Sequence, residues 1–368
     1  MRIGVVAPPW IPVPAPGYGG IEAVVEGTTR ELARRGHDVV MVAAPGSNVE
    51  GVRVVTPLER LPSQIGLAAD EWAHLAPAIE ILADRDVVID HSGPLGATLL
   101  GRAGPPTLHW VHGPLGDAER AVYAAVCRTA PRLRLVAISR AQRQDGPGLP
   151  WAGVAYNGLD LEGLPLGAGR GGYLAFLGRM SPDKGVADAI GIARAAGMPL
   201  KIGAKCREPA ELEYFAREVE PLLGDDVEWL GELDEPGKVA LLADAAALVF
   251  PIRWSEPFGM VMIESMAVGT PVLATRFGSV PEVVRDGVTG VVRDRPEDLA
   301  REVGGVVALD RAACREHVRR HFSLARMADG HERLLTATAA AKEGRRRRQK
   351  FLHPDPPIGG LSRRTASR

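Results

Sequence analysis

The sequence is poor in cysteine and has no long apolar run. It contains only three cysteines, Cys127, Cys206 and Cys314, and no CxxC pair, so neither a disulfide framework nor a zinc knuckle is indicated. No apolar stretch approaches the ~20 residues that a membrane helix needs. The apolar start breaks at Pro8, too early for a signal peptide. These absences predict a cytoplasmic protein with reduced thiols.

The chain also has almost no net charge, because 44 Lys and Arg residues nearly balance 45 Asp and Glu residues. Residues 344–368, however, hold eight Lys and Arg residues and the single acid Asp355, which leaves the rest of the chain acidic, near −8. An acidic body does not fit a nucleic-acid binder. The tail composition predicts disorder. A solvated end is favoured over peripheral membrane contact, since Phe351 and Leu352 offer little apolar area.

Short apolar strands alternate with helix-length amphipathic segments as far as about Val307, which predicts parallel sheets built from βαβ units, wound twice. The predicted strands are 3–7, 38–43, 87–90, 107–112 and 135–138, then 173–177, 201–204, 227–230, 248–251, 271–274 and 290–292. The predicted helices are 21–35, 186–196, 209–220, 236–245 and 258–268. Residues 158–172 include six glycines and suit an interdomain linker.

Four segments follow from this pattern. Two α/β domains are predicted, at residues 1–163 and 164–322. A C-terminal helix at residues 323–343 can pack back on the first domain. The disordered basic tail follows at residues 344–368. In open α/β sheets ligands bind at the carboxyl ends of the strands, so a site is expected in the cleft between the domains.

The sharpest motif runs from Ser255 to Val272 and carries Glu256 and Glu264. It follows a predicted buried strand, and the free amides at the start of its helix would hold a phosphate or a hydroxyl oxygen. Eight helical residues span roughly 12 Å, so the two carboxylates can contact opposite ends of an extended ligand. A sugar–diphosphate–ribose suits that spacing better than a small metabolite. Further donor contacts are predicted at Phe258, Gly259, Met260 and Val261.

A second motif, Leu177 to Gly185, leaves a strand and enters a helix. Lys184 lies there where the helix dipole disfavours a cation. An anion between Arg179 and Lys184 would remove that conflict, and a pyrophosphate is the natural candidate. The alternative for this motif alone pairs Arg179 with a carboxylate and leaves Lys184 solvated.

In order and spacing, the two motifs resemble the family-four retaining glycosyltransferases of GT-B fold (group 1), over almost the whole body of the chain. The resemblance implies two Rossmann-like domains whose parallel sheets face a central cleft. It implies that Arg179 and Lys184 neutralise the donor diphosphate in place of a metal. It also implies that Glu256 contacts hydroxyls of the transferred sugar and that Glu264 accepts bonds from the ribose.

Other positions match the same family. Gly19 and Gly20 match its diglycine near the donor phosphates, although a simple turn also explains that loop. His112 matches its active-site histidine, although a histidine at a strand end is equally often structural. Further matches are Ser139, Arg140, Asn157, Gly158, Asp160, Gly278, Pro281 and Glu282. Glu282 is expected to be structural rather than catalytic.

The acceptor is expected on the first domain, near Tyr18, Asp90, His91 and Ser92. The base is expected near residues 204–205 and 230–233, Leu233 included, with UDP- and GDP-sugars favoured while uracil, guanine and adenine stay open. The triplet 84–86 reads Asp-Arg-Asp, as in metal-binding DxD motifs, but it precedes its strand, which favours a solvated turn.

The expected activity is retaining transfer of a sugar to a hydroxyl of a small molecule, lipid or glycan, with no metal or other cofactor. Retention is implied by the resemblance alone. No side chain is an obvious covalent nucleophile, which favours attack on the same face as the leaving group. The alternatives are a nucleotide-sugar epimerase, a glycan phosphorylase or a non-catalytic nucleotide-binding protein; a dehydrogenase is weakened by the missing dinucleotide fingerprint. Monomer and homodimer both remain open.

Overall fold

The computed structural model describes residues 1–17 and 19–352, with side chains as far as residue 341. Tyr18, one of the predicted acceptor contacts, and residues 353–368 of the basic tail lie outside the described residues. None of the helices in this described part is long and apolar enough to cross a membrane.

The first domain is built on a seven-stranded sheet in the order β3-β2-β1-β4-β5-β6-β7, with every neighbouring pair parallel. Its strands are β1 Arg2–Val6, β2 Asp38–Val42, β3 Arg53–Val55, β4 Val87–Asp90, β5 Thr107–Val111, β6 Leu133–Ala137 and β7 Trp151–Val154. Its helices are α1 Gly20–Arg34, α2 Ala68–Leu75, α3 Ala78–Ile81, α4 Pro94–Ala103, α5 Asp117–Thr129 and α6 Arg140–Asp145. The central strands β4 and β5 are buried along their whole length, as strands covered by helices on both faces require.

The second domain carries a six-stranded parallel sheet in the order β10-β9-β8-β11-β12-β13. Its strands are β8 Leu174–Arg179, β9 Leu200–Lys205, β10 Val227–Gly231, β11 Ala247–Phe250, β12 Val272–Thr275 and β13 Gly290–Arg293. Its helices are α7 Val186–Ala195, α8 Pro209–Tyr214, α9 Glu235–Asp244, α10 Met260–Ala267, α11 Val280–Val283, α12 Pro296–Leu299, α13 Val303–Val307 and α14 Arg311–His321. The predicted fold class, two doubly wound parallel α/β domains facing a cleft, is confirmed.

Several predicted elements differ in detail. The edge strands β3 and β7 were not predicted, because one is three residues long and the other is only half-buried. The helix predicted for 209–220 ends at Tyr214 and continues as a π turn, Phe215–Val219. Helix α10 begins at Met260 rather than Phe258, since Gly259 adopts φ 77° immediately before it. Glu256 therefore lies in the preceding loop and not on the helix, so the estimate from helical rise does not apply.

The last helix, α15, spans Leu324–Leu352 and returns to the first domain. Arg35, just after α1, pairs with Asp329 at 2.9 Å and with Glu332. Gly27 of α1 permits the close approach, because a Cβ there would lie 2.5 Å from a methyl group of Leu324. The helix runs on to Leu352, so the predicted boundary at Gly344 between helix and disordered tail is not where the helix ends.

The chain crosses between the domains at two adjacent places. On the outward crossing, the Leu159 amide donates to the carbonyl of Phe322 at 3.0 Å. On the return, the Leu324 amide donates to the carbonyl of Leu159 at 3.0 Å. Gly158 fits beneath the returning segment, since a Cβ at that position would lie 2.6 Å from the carbonyl oxygen of Ser323.

Candidate active site

A cleft of about 910 Å³ lies between the two domains and receives residues from both. On the second-domain side it begins where β8 ends at Arg179 and β9 ends at Lys205, the carboxyl ends of parallel strands. These positions are the usual ligand edge of an open α/β sheet. The predicted donor residues that line it are Gly19, Gly20, Arg179, Lys184, Leu233, Glu256, Phe258, Gly259, Met260, Val261 and Glu264.

Lys184 lies in a short 3-10 turn, Pro182–Lys184, before α7. The turn is fixed by Gly185 at φ 74°, where a Cβ would lie 2.2 Å from the carbonyl oxygen of Pro251. Lys184 Nζ lies 2.5 Å from Glu256 Oε2 and 4.8 Å from the ring centre of Trp254. The alternative is therefore wrong in leaving Lys184 solvated, but its pairing of Arg179 with a carboxylate is seen. Arg179 Nη2 lies 3.4 Å from Asp183, a contact that a stronger anion would replace.

The Glu256 carboxylate is 6% exposed and accepts bonds from both Lys184 and Trp254 Nε1, the latter at 3.0 Å. Its loop is held from behind by Ser279, whose amide donates to the Glu256 carbonyl at 2.9 Å. The Ser279 hydroxyl donates to the Phe258 carbonyl at 2.8 Å. Both contacts use the backbone, so the carboxylate is left to face the cleft.

Glu264 projects from α10 toward Lys238 of α9, with 3.5 Å between Nζ and Oε1. Burial raises the pKa of the Glu264 carboxyl, and the neighbouring Lys238 ammonium opposes that shift. Lys238 and Trp254 also line the cleft and were missed by the sequence analysis. Trp254 lies two residues before Glu256, a signal that could have been used. Lys238 carries no local signal, because only the fold brings it to Glu264.

The first-domain side of the cleft carries His112 in a cluster of aromatic side chains. His112 Nε2 and His91 Nδ1 are 2.7 Å apart, and the Trp110 ring stacks on His331 of α15 at 4.4 Å. A recess of about 220 Å³ opens beside the cleft, with His91, Ser92 and Tyr123 in its wall. Burial lowers the pKa values of His91 and His331, the latter to about 4. These imidazoles are therefore neutral at pH 7.

The buried residue Asp90 has a different role from the predicted one. Its Oδ1 accepts from the Ser92 hydroxyl at 2.6 Å, and its Oδ2 pairs with His109 Nδ1 at 2.7 Å. The residue has no exposed surface. This arrangement argues against a direct acceptor contact for Asp90, which instead orients Ser92 and His109, while His91 and Ser92 reach the recess.

The remaining matched positions are mostly architectural. Ser139 caps α6 by accepting from the Gln142 amide at 3.0 Å. Asp160 pairs with Arg30 at 2.7 Å, and Asn157 is buried at the cleft. In the Asp-Arg-Asp triplet, Asp86 pairs with Arg2 at 2.9 Å. Within the described residues, no group of three or more His, Cys, Asp or Glu residues is arranged to hold a metal ion.

Two family models match the chain in tandem. The model for Glycosyltransferase Family 4 matches residues 18–162, and that for Glycosyl transferases group 1 matches residues 168–320. A glycogen synthase of Mycobacterium tuberculosis is 30% identical over 304 residues, which cover 77% of this chain and 70% of that protein. The chain belongs to the group 1 glycosyltransferases.

Other relatives of this glycosyltransferase have diverse names. A D-inositol 3-phosphate glycosyltransferase of Mycolicibacterium smegmatis is 28% identical, and the matched region covers 100% of this chain and 96% of that protein. A solved glycosyltransferase involved in avilamycin A biosynthesis superposes with a TM-score of 0.69 at 25% identity, covering 93% of this chain and 98% of its own. The Anabaena protein HepE, solved with UDP-glucose, shares the fold, with a TM-score of 0.70 at 17% identity and coverage of 92% and 100%.

One carboxylate of this glycosyltransferase connects its two domains. Glu282, on α11 of the second domain, accepts from the amides of Arg140 and Ala141 at 2.9 and 2.7 Å. These amides begin α6 of the first domain. Glu282 also accepts from the Tyr156 hydroxyl at 2.6 Å. Three donors of one domain thus converge on one carboxylate of the other, which supports its predicted structural character.

The contacts of Glu282 continue to both sides of the cleft. In α6, the Gln142 side-chain amide donates to the carbonyls of Val111 and Gly113 at 2.7 and 2.9 Å, on either side of His112. In α11, the Glu282 amide donates to the carbonyl of Ser279 at 2.8 Å. Ser279 in turn holds the Glu256 loop. A continuous set of hydrogen bonds therefore links the His112 strand end with the Glu256 loop.

The glycosyltransferase is expected to lose stability on acidification through its buried histidines. The folded state keeps His331 neutral to about pH 4, whereas the unfolded chain protonates it near 6.5. The unfolded state therefore binds more protons in that interval, and the stabilisation present above pH 6.5 is lost as the pH falls. Each such histidine contributes a slope of up to about 1.4 kcal/mol per pH unit.

Chemical denaturation between pH 7 and pH 5 measures this slope, and His331→Gln is the matched variant. The variant loses ring stacking at every pH, so only the pH dependence of its free energy of unfolding is compared with wild type. We expect a shallower dependence in the variant. Equal slopes for the two proteins would show that His331 does not titrate differently on unfolding.

Proposed function

We propose that this glycosyltransferase takes a sugar from a nucleoside diphosphate donor bound on its second domain and transfers it, with retention, to a hydroxyl held on its first domain. The arrangement that carries the proposal is the pair Arg179 and Lys184, aimed into a cleft that also contains Glu256 and Glu264. Two cations at neighbouring positions suit the two phosphates of a diphosphate, and carboxylates on either side suit sugar and ribose hydroxyls.

Lys184 is central to this proposal because it has two competing partners. Its ammonium contacts Glu256 at 2.5 Å, and a diphosphate in the cleft would compete for it. Once the ammonium turns to the phosphate, Glu256 has a free acceptor for a hydroxyl of the transferred sugar. Through the Lys184 side chain, donor binding therefore controls whether the Glu256 carboxylate is free to accept a hydrogen bond from the sugar.

In the proposed reaction the bond between the anomeric carbon and the diphosphate oxygen breaks, and its electrons stay on the diphosphate. The acceptor oxygen forms the new bond on the same face, and its proton passes to the departing diphosphate. Arg179 and Lys184 stabilise the charge that develops on the leaving group, which makes a metal unnecessary. Positioning of the two substrates by the closed cleft supplies the rest.

UDP is the first donor nucleotide to test, with GDP second. The fold neighbour HepE was solved in complex with UDP-glucose, which motivates that choice. On this chain the base would lie beyond Glu264, near Leu233 and the end of β9, where both Leu233 and Lys205 line the cleft.

Thermal stabilisation by nucleoside diphosphates tests the donor site. A nucleotide at a hundredfold excess over its Kd adds about 2.7 kcal/mol to the free energy of unfolding. We expect an increase in Tm with one nucleotide, unchanged by EDTA and lost in Lys184→Ala. The matched control is Lys201→Ala, which removes a lysine of the same domain that pairs with Glu228 outside the cleft.

The outcome also separates the alternatives. Release of nucleoside diphosphate only when an acceptor is present supports the transferase and argues against an epimerase. Dependence on inorganic phosphate with release of a sugar phosphate would indicate a phosphorylase. If no nucleotide changes Tm, the donor proposal is wrong and a non-catalytic role becomes the better interpretation.

A further inference from the structure

The two walls of the cleft differ in their balance of charge. On the second-domain wall, four cationic side chains, Arg179, Lys184, Lys205 and Lys238, are balanced by four acids, Glu232, Glu235, Glu256 and Glu264. Among the described residues, the first-domain wall contains a single Arg or Lys, Arg30, together with the acids Glu22, Glu26 and Asp160. The first-domain wall therefore carries an excess of acidic side chains that the second-domain wall lacks.

Arg30 is not available to bind an anion. Its Nη1 lies 3.1 Å from Glu26 Oε1, and its Nη2 lies 2.7 Å from Asp160 Oδ2. Two carboxylates therefore share one guanidinium. A phosphate approaching Arg30 would have to displace an acid and would still face the other.

Glu22 is a further acid of the first-domain wall. It lies in the first turn of α1, is 5% exposed, and lines the cleft. Within the described residues Glu22 forms no ion pair with a Lys, Arg or His side chain. Burial raises the pKa of the Glu22 carboxyl, as expected for a carboxylate without a cation.

Among the described residues that line it, the recess beside the cleft has no Lys or Arg side chain. Its wall includes the polar side chains His91, Ser92, His109, His112 and Tyr123. Burial lowers the pKa values of His91 and His112, so both imidazoles are neutral at pH 7. Neutral imidazoles and hydroxyls bind hydroxyl groups well and do not compensate an anion.

We infer that the acceptor is an uncharged or amine-bearing polyol and that phosphorylated or carboxylated acceptors are rejected by the carboxylates of the first-domain wall. The inference rests on the proposed function, since it concerns the acceptor half of the same cleft. Like charges close together near a protein surface repel, and each tenfold difference in affinity needs only a modest repulsion. The carboxylates would accept hydrogen bonds from hydroxyl or ammonium groups of the acceptor.

Binding of matched ligands to the protein saturated with UDP, or with GDP if only GDP raises Tm, tests this inference. The probes are glucose, glucosamine and glucose 6-phosphate, with myo-inositol and inositol 3-phosphate as a second set, measured by calorimetry. We expect the uncharged or amino member to bind at least tenfold more tightly than its phosphorylated counterpart. Tighter or equal binding of the phosphorylated members, or no binding of the uncharged and amino members, overturns the inference.

A double variant tests the cause. Glu26→Gln with Asp160→Asn frees Arg30 and is expected to bring the affinity for the phosphorylated probe within about threefold of the uncharged one. The control is Glu50→Gln with Glu80→Gln, the same change of charge at two exposed positions of the first domain outside the cleft. An unchanged preference in the first variant, or an equal change in the control, contradicts the role of the wall.

The failure of the inference is distinguishable from failure of the proposed function. The effect of the nucleoside diphosphate on Tm is measured first, before any acceptor probe is added. If it does, and the phosphorylated probe then binds best, only the acceptor inference is wrong. If it does not, the donor proposal itself is wrong.

Discussion

Replacing Lys184 with alanine is expected to lower kcat/KM for sugar transfer by about 10²–10³-fold, the usual cost of removing one group that stabilises developing charge. The ammonium lies 2.5 Å from Glu256 and faces the same cleft as Arg179. Without it the departing diphosphate keeps only one of its two cations. The measurement is release of nucleoside diphosphate in the presence of an acceptor, once the acceptor has been found.

The variant has a structural side effect that needs its own control. Glu256 is buried, and removing its partner leaves an uncompensated charge, which costs about 3–5 kcal/mol in comparable pairs. In the double variant Lys184→Met with Glu256→Gln, both charges are absent, so stability is expected to recover while transfer does not. Lys201→Ala should change neither. A folded Lys184→Ala protein with wild-type kcat/KM would contradict the role given to Lys184.

Replacing Glu282 with alanine is expected to reduce kcat by about 10²-fold although the residue lies outside the cleft lining. A displacement of about 1 Å at a reacting group can cost that much. The change leaves the amides of Arg140 and Ala141 without their acceptor; the loss at the half-buried Ala141 amide costs about 1–3 kcal/mol, whereas the exposed Arg140 amide can bond to water. Both the His112 strand end and the Glu256 loop then lose their shared support. The test is a comparison of kcat, donor Kd and Tm.

Two milder variants separate positioning from general destabilisation. Tyr156→Phe removes one of the three donors to Glu282 and should cost little activity. Glu282→Gln keeps one carbonyl acceptor and should recover part of kcat. If all three variants lower kcat in proportion to Tm alone, Glu282 only stabilises the fold and does not position the catalytic groups.

The strand and helix pattern was predictable because parallel strands covered on both faces are uninterrupted apolar runs. β4 was predicted with its exact bounds, and β8 and β11 within two residues. The edge strands β3 and β7 of the first sheet were missed because they bury less, whereas the edge strands β10 and β13 of the second sheet were predicted. The start of α10 was placed two residues early, since the sequence does not show that Gly259 takes a left-handed conformation there.

The site residues that belong to a continuous sequence motif were predictable. The contacts that depend on the packing of distant segments were not. Arg179, Lys184, Glu256 and Glu264 all reach the cleft, as two local motifs indicated. The pairing of Lys184 with Glu256, the place of Lys238 beside Glu264, and the convergence of three donors on Glu282 join residues far apart in the chain. Asp90 was misjudged because its position at a strand end gave no sign that His109 and Ser92 occupy its oxygens.

The return of α15 to the first domain also affects the order in which the protein can fold during synthesis. The sheet of the first domain ends at Val154, but the helix that covers α1 begins only at Leu324. At translation rates of 5–20 residues per second, the ribosome needs roughly 10–30 s to make the intervening chain. The domain that is synthesised first is therefore completed last, after the whole second sheet has emerged, and until then α1 exposes the apolar surface that α15 will cover.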